Sequence, residues 1–402
     1  MVPNSMERGD RLRATAMLML FSGLVAALGL YMVIFMSAAG YDYSFGYLYG
    51  RDFPNFWAGG RAALSGEVAI LTDLDAYNDW LHEMFGGDVG RRYHYIFSYP
   101  PNVLPLLAPL GLLGYGAALY VFTAVSLALA AVLGWWLSGR VWFAGLLMVL
   151  SPGLLASIFN GHPGMFLAGL LVPGVLLLER RPAIAGLLLG LVTVKPQLGL
   201  LVMLILLVRC NWPAILAALA SAVALAGLSL VLYGIEPWIA YVAVIAPRQV
   251  AVLQQIYDKS FVYFIPTPFA IFTWLRLPLA WAQALQAGCG LLAAGASVYV
   301  WLRSRDEALR TLGLMLATAL LLPYFNNYDL TMLALAQVVF LYRSPAALQM
   351  ASPVHVVLWT VAALSPPLAV FGAPVGALAL ALGLVVVVML ARRGEPEGQN
   401  VL

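Results

Sequence analysis

Charge is scarce in this chain. Of 402 residues, 10% are charged and 63% are hydrophobic. A soluble domain carries roughly 25% charged residues, so a soluble globular protein is excluded. Lysine is scarcer still: Lys195 and Lys259 are two among 21 basic residues. Cysteine is limited to Cys210 and Cys289, far apart in sequence, which excludes a disulfide framework and a cysteine metal site. A net charge of +3 does not point to nucleic acid. No glycine-rich phosphate loop follows a strand, so nucleotide chemistry of that kind has no support. No internal repeat is visible at the level of whole spans.

What the chain does have is apolar sequence of spanning or near-spanning length. Such stretches fall at about 14–39, 115–137, 141–159, 162–178, 182–208, 212–232, 278–302, 308–323, 328–343, 353–371 and 375–391. Two shorter ones, about 101–113 and 263–275, begin in proline-rich sequence. The expected fold is all-α: one integral membrane domain, 1–402, of about 10–13 transmembrane helices. The first run follows Arg8, Arg11 and Arg13 and lacks a small-residue cleavage site, so it reads as an uncleaved span.

The positive-inside rule orders these spans. With the N-terminal arginines in the cytoplasm, 182–208 folding as a hairpin broken at Lys195-Pro196, and the two short segments not crossing, ten arginines fall inside: Arg140, Arg180, Arg181, Arg209, Arg303, Arg305, Arg310, Arg343, Arg392 and Arg393. A first loop at about 40–100, carrying short interfacial helices, and a second at about 233–262 then lie outside, with Lys259 and the poorly fitting Arg276. Eight of the 18 acidic residues are in the first loop: Asp42, Asp52, Glu67, Asp73, Asp75, Asp79, Glu83 and Asp88.

Five polar clusters share that outer side. They are Arg51-Asp52; Ser98-Tyr99-Pro100-Pro101-Asn102; Asn160-Gly161-His162-Pro163; Lys195-Pro196-Gln197; and Tyr324-Phe325-Asn326-Asn327-Tyr328-Asp329. Each alone reads as a turn, a helix start or a surface ion pair. Lys195 stands out, because an ammonium a dozen residues from either end of its apolar run needs an anionic partner or an aqueous cavity. Taken together they describe an outer-side cavity with a carboxylate, a lysine, amides and aromatic walls. Sugars need such groups: hydroxyls pair with donors and acceptors, and ring faces pack on apolar platforms. Lysine and arginine suit a phosphate. Asp73-Leu74-Asp75 has the spacing of a metal-binding D-x-D, but Leu71-Thr72-Asp73 reads better as the capped start of an amphipathic helix. The stretch from Pro247 to Lys259, with Arg248, Gln249, Gln254, Gln255 and Asp258, reads as a loop or surface helix over the cavity.

In order, these clusters resemble the polyprenyl-phosphate-dependent glycosyltransferases of the GT-C superfamily, most closely family 87. The resemblance runs over about 14–345. It rests on Asp52 followed by Phe56-Trp57-Ala58-Gly59, then Tyr99-Pro100-Pro101, the Asn160-Gly161 turn, and Arg180-Arg181-Pro182 through Gly190 leading into Lys195-Pro196. His162 stands where the family more often has glutamine, and Asn326-Asn327-Tyr328-Asp329 where many members have a histidine-containing segment. The sugar therefore does not follow from the resemblance. It implies a GT-C-type bundle in the cytoplasmic membrane, an active site facing outside, a polyprenyl-phosphate-linked sugar donor, a glycolipid or glycan acceptor, and inversion at the anomeric carbon. Asp52 is the expected base. Lys195, Arg248 and Arg51 are candidates for the donor phosphate, and Tyr99, Asn160, His162, Gln197, Asn326, Tyr328 and Asp329 for the sugar or acceptor pocket. No cofactor is expected, and the lone carboxylate argues against a metal. The rival reading is a transporter or flippase for a lipid-linked or small polar solute.

Overall fold

In the computed structural model, residues 5–38, 50–85, 95–249, 251 and 260–393 are described, and every regular element among them is helical. Six helices are long and apolar enough to cross a membrane: Gly9–Met32, Tyr115–Leu137, Trp212–Tyr233, Leu279–Arg303, Ser352–Val370 and Gly376–Arg393. Trp142–Val149 and Pro152–Asn160 together are also long and apolar enough, but are bent by 45° at the break between them. At the bend the Ser151 hydroxyl accepts from the Leu154 N–H and Pro152 opens the new helix, where a missing N–H costs nothing.

The remaining apolar helices are shorter. Gly164–Leu177, Pro182–Val194 and Pro196–Val208 fall below spanning length. Glu307–Leu321 and Thr331–Arg343 have 15 and 13 residues. The last two form the centre of the bundle, buried from Ala308 to Leu320 and from Thr331 to Leu341. A helix sheathed by other helices does not have to match the bilayer thickness that sets the length of a lipid-facing one. Among the described residues six helices, or seven with the bent pair as one, therefore have full spanning length, and the shorter buried helices complete the polytopic bundle. Leu104–Gly111 and Pro268–Trp274, the two proline-started segments, have 8 and 7 residues and do not cross.

Polar contacts sort the helix ends into two sets. At one end Arg180 meets Glu307 at 3.0 Å, and Glu179 is shared by Arg310 at 2.8 Å and Arg209 at 3.6 Å. Ser344 donates to Asp306, and Thr15 meets Ser352 at 2.7 Å. At the other end the Asp52 N–H donates to the Asn160 carbonyl at 2.7 Å, and Lys195 meets Asp329. The hairpin break at Lys195-Pro196 is where the sequence puts it: a 3-10 turn ends at Val194 and another begins at Pro196. Lys259, Asp42 and Asp88 lie outside the described residues.

Between the first span and Tyr115 the described chain forms short helices, Phe53–Ser65, Leu74–Phe85 and Leu104–Gly111, with a 3-10 turn at Val68–Thr72. Asp73 accepts from the Ala76 N–H at 3.2 Å, so the D-x-D spacing belongs to a helix cap. Phe53–Ser65 lies against Leu104–Gly111 at Gly60. A Cβ there would fall 2.4 Å from the Leu107 oxygen and 2.8 Å from the Gly111 nitrogen. This backbone-to-backbone seat fixes the helix that begins next to Asp52. Similarly, Gly186 and Gly190 let Pro182–Gly190 close on Ala214 and Ala218 of Trp212–Tyr233.

Candidate active site

Asp52 occupies the N-cap of Phe53–Ser65 but makes no side-chain capping bond. Its carboxylate is left for other work. The side chain is one quarter exposed, and Arg51 Nε stands 3.9 Å from its Oδ1. Burial raises its pKa above the ordinary carboxylate value, against the opposing pull of Arg51 and Lys195 and a hydrogen bond from Tyr328. Position 52 is held by its N–H on the Asn160 carbonyl, and by Gly161, whose positive φ of 61° and missing Cβ let it pass against Phe53.

Lys195 has the anionic partner its position demands. Its Nζ lies 2.5 Å from Asp329 Oδ1, and the two side chains are 8% and 2% exposed. The other Asp329 oxygen accepts from the Asn326 N–H at 3.2 Å, as the N3 member of a capping box on the 3-10 turn Asn327–Leu330. Asp329 is thereby fixed by its own turn and in turn fixes the lysine.

His162 joins the two halves. Its Nε2 is 3.3 Å from Lys195 Nζ and 3.2 Å from the Tyr99 hydroxyl. An ammonium has only protons to give, so Nε2 accepts and the ring proton sits on Nδ1, which is buried without a partner. The ring stacks on Tyr328 at 3.9 Å and 20°, while Phe56 packs against Tyr99 at 5.0 Å and edge-on to His162 at 6.2 Å. Lys195 Nζ also lies 5.3 Å from the Tyr328 ring centre.

Asp52, Tyr99, His162, Lys195, Tyr328 and Asp329 are therefore one constellation, assembled from five separated stretches of chain. Asn160 takes part through its carbonyl; its side-chain amide donates to Ala156 instead. Asn326 contributes its backbone N–H. Gln197 is half-buried on the turn after Lys195. Arg51 sits beside Asp52 with its guanidinium 5.5 Å from the Phe264 ring centre. Arg248 is exposed, and its neighbour Gln249 donates to the Ser98 carbonyl next to Tyr99. That bond brings the start of the 247–259 stretch against the site; residues 252–259 lie outside the described residues. Sequence reasoning singled out the segments holding Phe56 and Tyr324 but named neither as a site residue. Tyr324 lies close enough to feel the charge of Asp52 and Arg51. Phe56 was visible only as part of an aromatic segment, since an aromatic near a carboxylate in sequence says nothing about which ring it will meet.

The family model of glycosyltransferase family 87 matches residues 97–323, more than half of the chain. The chain belongs to glycosyltransferase family 87. It is a multi-pass membrane glycosyltransferase. The matched stretch contains Tyr99, His162 and Lys195, while Asp52 and Asp329 lie to either side of it and are joined to it only in three dimensions. No curated protein and no solved structure matches the chain.

Proposed function

We propose that this family 87 enzyme moves a hexose or pentose from a polyprenyl-phosphate donor to a glycolipid or glycan acceptor, with inversion, at the outer face of the cytoplasmic membrane. The observation that carries the reading is Asp52: a partly exposed carboxylate with no capping duty, beside an arginine and a buried Lys195–His162–Tyr99 network. It takes the proton of the acceptor hydroxyl as that oxygen bonds to the anomeric carbon. The bond from that carbon to the phosphate oxygen breaks on the opposite face, and its electron pair leaves with the polyprenyl phosphate. A phosphate is a good leaving group and needs charge stabilisation more than a proton. Arg51, Lys195 and Arg248 are the basic groups we assign to that charge. Lys195 already shares its charge with Asp329, so it acts through the field and the remaining N–H it can offer, while Arg51 and Arg248 are more open to a ligand. Tyr99, His162, Tyr328 and Phe56 supply the platform and donors for sugar or acceptor.

The test is transfer by purified protein from a panel of polyprenyl-phosphate sugars to a lipid or glycan acceptor. One donor class is expected to give product of inverted anomeric configuration. Sugar nucleotides used as readily as lipid-linked donors would overturn the donor assignment, and movement of intact solute across proteoliposomes without transfer would favour the transporter reading.

A further inference from the structure

At the end of the bundle opposite Asp52 there is a second built site, and it fits an anion. A cavity of about 160 Å³ is lined by Leu178, Glu179, Ile205, Leu206, Arg209, Cys210, Asn211, Pro213 and Trp301. Trp301 is 4% exposed, and its indole N–H is buried with no hydrogen-bond partner. Arg310 stacks over the same indole, 5.2 Å from the ring centre, and its Nε–H is also buried and unpartnered. Two orphaned donors side by side are unusual, because leaving a buried donor unsatisfied costs about 1–3 kcal/mol.

The charges agree with the orphans. Glu179 is the carboxylate in the lining, and it faces two guanidiniums, Arg310 at 2.8 Å and Arg209 at 3.6 Å. The arrangement keeps an excess positive charge. Arg209 is 43% exposed on its side chain, so its free N–H groups reach the mouth. Around the end of Leu279–Arg303 a second cavity of about 270 Å³ carries Arg303 and Arg305, and Arg343, Arg392 and Arg393 are exposed at the same end. None of these five makes an ion pair with a described carboxylate. Asp306, which also lines the larger cavity, has its oxygens taken by the Ser344 hydroxyl and by the N–H groups of Ala308 and Leu309.

The location selects the source of the anion. The cavity is at the ends of apolar helices, with Leu178, Ile205 and Leu206 as its walls and exposed Leu207, Val208, Trp212 and Leu302 beside it. Glu307–Leu321, a helix of 15 residues and so about 22 Å long, separates it from the Asn326–Asp329 turn of the catalytic end. We propose that this cavity binds the phosphate of an anionic phospholipid, with the Trp301 indole N–H and Arg209 as its donors, Arg310 supplying charge from behind the ring, and the acyl chains lying on the adjoining apolar helix faces.

The experiment uses the whole protein, purified and delipidated in detergent. Phosphatidylglycerol is titrated against phosphatidylcholine and against inorganic phosphate, with retention read by native mass spectrometry and by thermal unfolding. Trp301→Phe keeps the ring under Arg310 and deletes only the N–H. Arg209→Gln removes the exposed charge and leaves the Arg310–Glu179 pair. Phosphatidylglycerol is expected to bind and to raise the unfolding temperature more than phosphatidylcholine, and each variant to lower its affinity by about tenfold, with lipid-free Trp301→Phe at least as stable as the wild type because the orphaned donor is gone. Equal binding of the two lipids, or wild-type affinity in both variants, would overturn the site. Inorganic phosphate protecting as well as the lipid at equal concentration would overturn the lipid assignment.

Discussion

Asp52 and Lys195 carry opposite expectations when their charge is removed. Asp52→Asn keeps the shape but cannot accept a proton, and a general base contributes about 10²–10⁴ in rate. Turnover should fall by that order with donor binding retained. The sign of the pH dependence follows from the environment. Burial raises the Asp52 pKa, and the base works only when ionised. The acid limb of activity should therefore lie above the ordinary carboxylate range, rising with pH through the raised value, and it should be absent from the residual activity of Asp52→Asn. The same shift means that the folded state binds the Asp52 proton more tightly than the unfolded chain, so ionising it opposes folding. Asp52→Asn should be at least as stable as the wild type near neutral pH, and thermal unfolding on the same samples checks this. A variant of full activity would remove Asp52 from the chemistry.

Lys195 is different because its partner is buried with it. Removing one member of a buried pair costs about 3–5 kcal/mol, and here the survivor would be Asp329, 2% exposed on its side chain. Lys195→Met should lower the unfolding temperature markedly, and Lys195→Met with Asp329→Asn, which keeps an acceptor for the Asn326 N–H, should recover much of the loss. If the double variant folds well and still binds donor normally, the lysine is structural; donor binding lost in a stable double variant but kept in Asp329→Asn alone assigns the phosphate to it. The need for this anion was legible in sequence, since a lysine far from both ends of an apolar run cannot stand alone. That Asp329 would supply it, rather than a ligand, was not, because the two residues are 134 positions apart and no local pattern joins them.

At the scale of elements, the Asp52 end depends on small residues that no charge pattern reveals. Phe53–Ser65 starts at Asp52 and is seated by Gly60 on Leu104–Gly111. A methyl at Gly60 meets backbone on the other helix at 2.4 Å, and backbone cannot step aside as a flexible side chain can. Gly60→Ala should cost about 1–3 kcal/mol by overpacking and should reduce transfer beyond its effect on stability, because it displaces the helix that aims Asp52. Ala63→Gly, at a half-buried position one turn along the same helix, is the control: it lowers helix propensity by about 1 kcal/mol without a clash. Equal transfer by the two variants at matched folded fraction would show that the seat does not position the site. The sequence made the break at Lys195-Pro196 readable, since proline and a buried charge coincide there. It placed the central helices at about 308–323 and 328–343, close to the observed Glu307–Leu321 and Thr331–Arg343, but did not show their burial, since hydropathy records that residues avoid water and not whether they face lipid or protein.

For the whole molecule, the sorting of charges across the bundle makes a single topological claim. The arginines at 140, 180, 181, 209, 303, 305, 310, 343, 392 and 393 belong to the helix ends held together by the Arg180–Glu307, Arg310–Glu179 and Ser344–Asp306 contacts. The site residues belong to the opposite ends. This bias was legible from the sequence once 182–208 was folded as a hairpin, and the two ends are now seen to be held by different side chains. Under the proposed function, the positive-inside rule puts the arginine end toward the cytoplasm. Two exposed positions test it: Ser65, after the Asp52 helix, and Arg180, 66% exposed on its side chain. In a background lacking Cys210 and Cys289, Ser65→Cys should react with a membrane-impermeant maleimide in intact cells, and Arg180→Cys only after the cells are opened. The reverse pattern would turn the protein over and place Asp52 on the cytoplasmic side, where a donor presented from the outer leaflet could not reach it. Labelling of both positions in intact cells would mean that the chain between them does not cross the membrane an odd number of times, contrary to the two sets of helix ends described here.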